Sequence, residues 1–142
     1  MSREEMNAVL SEAVKVACYF LQKRGEFFPF AVGMDQAGGL RHIQGWTGDE
    51  SPPSNEILDL LQRGLARSAG AGEFDCTGLV SDVRISTGVE TTDAIRVQVE
   101  HRDEQPVVCY VPYRLTGGSV ITDEIVAEPG VARVFLSHGA ET

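Results

Sequence analysis

Apolar residues in the first 24 positions recur at steps of three and four. Met6, Val9, Leu10, Ala13, Val14, Ala17, Phe20 and Leu21 form one stripe, which predicts an amphipathic helix. Ser2 followed by Glu5 has the form of a capping box at its start. Lys23 and Arg24 stand in its last turn, where the helix dipole favours cations, and Gly25 suits a left-handed stop. From Phe28 the period shortens to two. Phe28, Phe30, Val32 and Met34 alternate with Pro29, Ala31, Gly33 and Asp35, the pattern of a strand with one buried face. Pro29 has no N–H for a ladder, so it belongs at the strand's start or on an edge. "DQAGG" breaks the pattern and "LRHIQGW" resumes it, predicting two antiparallel strands.

A second helix follows, with Ile57, Leu58, Leu61 and Leu65 on its core face. Asp49, Ser51 or Ser54 is a candidate cap, Pro52 or Pro53 suits the first turn, and Gly70 and Gly72 end it. After residue 73 the period is two again. "FDCTGLVSDVRIST" places Thr77, Leu79, Val83 and Ile85 on one face. "DAIRVQVEH" turns Ile95, Val97, Val99 and His101 inward and Arg96, Gln98 and Glu100 outward. "PVVCYVPYRL" aligns Val107, Cys109, Val111 and Tyr113. The breaks "TGVETTD", "RDEQ" and "TGG" punctuate a meander. "SVITDEIVAE" and "VARVFL" fit either short strands or a closing segment around "EPG", and the tail from about residue 137 is expected to be loose.

The order α-β-β-α-β-β-β describes an α+β domain: an antiparallel sheet of five or more strands with both helices on one face. Alternation in the last strands supports a single covered side, because a sheet packed on both sides shows continuous apolar runs. The element order resembles that of profilin-like domains such as roadblock and longin modules, and in part that of small acidic dimeric secretion chaperones. Element order alone carries this resemblance, and a fold does not bring a function with it.

With 142 residues, 42% of them apolar, the chain suits one domain with one core. Twelve basic residues among twenty-one acidic ones give a net charge of -9, and no basic stripe stands out. That argues against nucleic acid and anionic membrane surfaces, which need clustered Lys and Arg. The N-terminal segment lacks the cationic and apolar regions of a signal peptide, and no run reaches the roughly 18 apolar residues of a membrane helix. Cys18, Cys76 and Cys109 are odd in number and far apart, as expected of reduced thiols in a cytoplasmic protein.

Candidate chemistry is sparse. Gly33 and Gly38 have the spacing of a phosphate-binding loop, but Gly39 and Leu40 replace its Lys and Ser or Thr, so the segment reads as a hairpin turn. His42 and Trp46 fall on one strand face. With a sheet acid such as Asp82 they would line a ligand pocket; the simpler expectation is that Trp46 caps the core and His42 sits at the solvent edge. Asp82 is expected to pair with Arg84 or Arg96. "EHRDE" places Glu100 and His101 on opposite faces, so no metal site is expected there, and no cofactor is implied. Cys109, mid-strand among Val and Tyr, reads as core. Tyr110, Pro112 and Arg114 share the opposite face and form a candidate association surface. The leading expectation is a non-catalytic protein-interaction or scaffold module that forms a homodimer. The other is a small enzyme or ligand-binding domain with its pocket at His42, Trp46 and Asp82.

Overall fold

The computed structural model describes residues 2–45, 53–86 and 88–136. Trp46, Asp49, Ser51, Pro52 and the tail from 137 lie outside them. Two helices, α1 (Ser2–Arg24) and α2 (Ser54–Gly70), accompany seven strands: β1 (Phe30–Met34), β2 (Leu40–Gln44), β3 (Cys76–Ser86), β4 (Thr91–His101), β5 (Val107–Thr116), β6 (Ser119–Thr122) and β7 (Val126–Pro129). Every pairing is antiparallel. The sheet runs β2-β1-β3-β4-β5, and both β6 and β7 pair with the far side of β5. β6 takes its end near Tyr113–Thr116 and β7 its start near Val107–Tyr110. The α+β class and the order of the first seven elements are as expected, and the region after residue 118 resolves into two short strands.

The helices do not share a face. Val9, Ala13, Ala17 and Leu21 of α1 pack with Phe30, Val32, Cys76, Val80, Ile95 and Val97. Ile57, Leu61, Leu65 and Ala69 of α2 pack with Ala31, Leu79 and Phe74. Ala31 lies between Phe30 and Val32, and Leu79 precedes Val80, so the two clusters occupy opposite sides of the sheet. β1 and the first half of β3 are therefore buried on both faces. The alternation that suggested one covered side belongs to the strands beyond β3, which α2 does not reach.

Local signals met mixed outcomes, each with a physical reason. Lys23 and Arg24 occupy the last turn of α1, and Gly25 follows at φ 78°. The capping-box side chains serve tertiary contacts instead: Ser2 Oγ donates to Glu104 Oε1 at 2.6 Å, and Glu5 accepts from His101. Pro53 occupies the N-cap of α2, with no side-chain cap, and Ser54 is already helical.

The β1–β2 turn settles the phosphate-loop spacing. Gly38 has φ 86°, which the turn requires and L side chains rarely adopt. Gly33 has a different reason: a Cβ there would stand 2.6 Å from the Phe74 ring. Asp35 Oδ1 accepts the N–H groups of Ala37 and Gly39 at 2.9 and 2.8 Å, so a carboxylate of the chain itself holds the amides that a phosphate would need. Among the described residues no helix is long and apolar enough to cross a membrane.

Candidate functional site

The side chains proposed for a ligand pocket do not converge. His42 opposes Val32, which opposes Gly78, so His42 and Asp82 share the α1 side of the sheet. They stand four residues along β3 and two strands across, roughly 16 Å apart by strand rise and spacing. His42 is exposed and pairs with Glu12 of α1. Asp82 accepts the Tyr113 hydroxyl at 2.6 Å and the Phe27 backbone N–H. Neither expected arginine holds it: Arg84 lies 3.7 Å from Asp93, and Arg96 donates to Gln98. Trp46, the third member, falls outside the described residues.

Burial pushes the Asp82 carboxyl above its ordinary value. The Tyr113 and Phe27 hydrogen bonds oppose that rise, and the nearby Asp93 and Glu26 charges add to it. Burial and the bond to Asp82 push the Tyr113 hydroxyl up as well. A carboxyl whose folded pKa exceeds its unfolded value of about 3.9 favours the folded state when protonated. Its contribution to stability grows as pH falls through the raised value and is complete below the unfolded one. The native protein should therefore gain stability relative to Asp82→Asn between neutral pH and about pH 4. Urea midpoints of both proteins across that range check it, and a pH-independent gap between them would refute it.

A second constellation has the residue types of a nucleophilic site. Cys76 and His101 oppose each other across β3 and β4, and His101 Nε2 lies 2.9 Å from Glu5. The geometry assigns these groups to structure. The Asp103 N–H donates to His101 Nδ1 at 3.0 Å, so Nε2 carries the proton and donates it to Glu5, leaving no ring nitrogen to receive a thiol proton. Cys76 is 0% exposed, and burial, reinforced by the Glu5 charge, pushes its thiol up to about 12. A thiolate nucleophile needs the opposite environment. Cys109 is buried, as expected. Among the described residues no three His, Cys, Asp or Glu side chains gather in a metal-holding arrangement.

Glu100 corrects the sequence reading most sharply. Alternation placed it outward, yet it is 1% exposed. The chain after β7 returns over this end of β4, and Glu100 Oε1 accepts the N–H groups of Arg133, Val134 and Phe135 at 3.0, 3.0 and 3.4 Å. Gln98 Nε2 donates to Oε2 at 2.7 Å. Val134 and Phe135 thereby enter the α2 cluster. Strand alternation gave no signal for this burial, because the backbone donors that Glu100 accepts from lie more than thirty residues away.

Among the described residues, no helix covers the α2-side face of β4 to β7. The described part of α2 packs on β1 and β3, and the returning segment covers only the Gln98–Glu100 end. Tyr110 and Pro112 are half-buried there and Arg114 is exposed. Cross-strand pairing sets Tyr110 beside Arg96 and Val126, Pro112 beside Ala94, and Arg114 beside Ile121. Val126 and Ile121 are 55% and 47% exposed. Glu128 shares this face and accepts from the Tyr110 hydroxyl at 3.4 Å. The candidate association residues thus share one face of β5, with Val126 and Ile121 beside them and Arg96 and Glu128 on the same face. No protein-family model matches this chain, and no curated protein or solved structure matches it either.

Proposed function

We propose that the protein is a non-catalytic protein-interaction module that self-associates through the open face of β4 to β7. The observation that carries this reading is the patch built on Tyr110, Pro112 and Arg114, widened by Val126 and Ile121. Exposed apolar side chains on adjacent strands mark association surfaces, and Tyr and Arg are the residue types that dominate interface energies. Self-complementarity supports a second copy as the partner. A two-fold arrangement can set Arg114 of one chain against Glu128 of the other, in the manner of isologous contacts. The structural duties of Cys76, His101, Asp82 and Glu100 support a non-catalytic role.

The test is molar mass by light scattering across the micromolar range. A dimer, about twice the 15.4 kDa of the chain, is expected. Tyr110→Arg, which buries a charge in the interface, should weaken self-association about tenfold or more while circular dichroism stays unchanged. A native protein that is monomeric at every concentration ends the reading. We also propose a cytoplasmic location, a reading supported by the free thiols of Cys18, Cys76 and Cys109. Fractionation that finds it in an oxidising compartment would overturn that placement.

A further inference from the structure

The opposite face of the same strands carries a groove of about 450 Å³ between α1 and β7. Val99, Val107 and Cys109 form its floor, and Met6 and Leu10 of α1 face Ile125 across it. Its polar end holds Arg3, Asn7, Glu104 and Gln105. Ser2 Oγ donates to Glu104 at 2.6 Å, tying the start of α1 to the β4–β5 turn there. Ile125 is 50% exposed. On the β7 side the small Ala127 leaves the rim low.

The rim is also a sheet edge. β7 pairs with β5 on one side, and among the described residues no strand pairs with the other. The phase of the ladder shows which groups face out. The Gly130 N–H donates to the Pro106 carbonyl at 2.9 Å. Alternation along an antiparallel pair then turns the backbone groups of Glu128 and Val126 toward β5, and those of Ala127 and Ile125 away from it. Pro129 falls in the outward phase, where a missing N–H costs the ladder nothing. Ala127 and Ile125 thus present backbone groups that no described strand pairs with, directly beside the apolar groove.

Charge selects the occupant. Asp123, Glu124 and Glu128 follow the edge, and Glu104 stands at the groove's end. Arg3 is the only basic residue among the described groove lining. A second copy adding its own β7 antiparallel about Val126 would set Glu124 opposite Glu128 twice, and like charges directly opposite are destabilising. That register disfavours a second copy, and the acids along the edge suit a strand carrying Lys or Arg.

We propose that β7 takes up an extended cationic segment of a partner protein, which joins the sheet as an added strand and inserts alternate apolar side chains into the α1–β7 groove. In this mode main-chain hydrogen bonds supply affinity and the pocket supplies side-chain specificity. The proposal rests on reading the protein as an interaction module, not on its self-association, which uses the other face.

The experiment measures fluorescence anisotropy of labelled eight-residue peptides with Val at alternate positions and Lys, Ser or Glu between them. The Lys peptide should bind about tenfold tighter than the Glu peptide and weaken with added salt. Ala127→Pro removes only an outward N–H and should weaken Lys-peptide binding about tenfold with circular dichroism unchanged. The exposed pair Glu124→Lys and Glu128→Lys should reverse the preference toward the Glu peptide. Equal affinity for the Lys and Glu peptides, or native binding by Ala127→Pro, would overturn the proposal. A lower molar mass for Ala127→Pro would also overturn it, by assigning the edge to a second copy. Arg114→Ala, which lies beside β6 and not beside β7, should weaken self-association and bind the Lys peptide as the native protein does, so failure of self-association and failure of this site are separately visible.

Discussion

Glu100→Ala is expected to cost on the order of 4 kcal/mol of stability, a large share of the roughly 5–15 kcal/mol that holds a domain folded. The substitution removes the acceptor of three backbone N–H groups, those of Arg133, Val134 and Phe135, and of the Gln98 amide. At 1% exposure for Glu100, water does not replace the lost acceptor without opening the site. Buried donors left unpaired lose their solvation and gain nothing in return. The loss spreads, because the same bonds hold Val134 and Phe135 in the α2 cluster. Glu100→Gln keeps one side-chain oxygen as acceptor and should cost about half as much. Chemical denaturation measures both variants, and hydrogen exchange should show the amides of residues 133–135 losing protection first. A loss below about 1 kcal/mol for the alanine variant, with those amides still protected, would refute this account of the returning segment.

Leu21→Ala and Leu65→Ala should each cost about 3 kcal/mol. Leu21 is 1% exposed in the α1 cluster and Leu65 2% exposed in the α2 cluster. Each truncation removes most of an apolar side chain and leaves a cavity that rigid sheet neighbours fill poorly. The combination is more informative than either alone. The two clusters lie on opposite sides of the sheet and share no residue, so the costs should add to within about 0.5 kcal/mol. Helices packed side by side on one face would relax into a shared cavity and show a larger coupling. Urea denaturation of the native protein, both single variants and the double variant closes the cycle. A coupling above about 1 kcal/mol would contradict the separation of the clusters.

Much of the fold was legible in the chain because the signals were local. The three-four spacing from Met6 to Leu21 marks α1, and Gly25 ends it at φ 78°. Period-two runs mark β3, β4 and β5. Departures occurred where one local pattern served two distant purposes. Ser2 and Glu5 have the spacing to cap their own helix, yet Glu104 of the β4–β5 turn and the buried His101 of β4 take them as partners instead. One covered side was expected for the sheet, but the neighbours Leu79 and Val80 each have a helix above them. The candidate ligand residues fared differently from the association residues. Tyr110, Pro112 and Arg114 share a face because strand alternation guarantees it. His42 and Asp82 needed a particular sheet order and helix placement to meet, and α1 lies across the face they share.

By itself, then, the sequence determined the class of each main element, the turn at Gly38 and the alignment of Tyr110 with Pro112 and Arg114. These depend on backbone sterics and on periods of two and 3.6 residues, which act over a few positions. Only the tertiary structure decided which side of the sheet α2 covers, that Glu100 is a buried anchor and that a groove opens beside β7. Those features bring together residues from separate elements of the chain. Their energies come from burial and desolvation, which exist only once the sheet has closed around them.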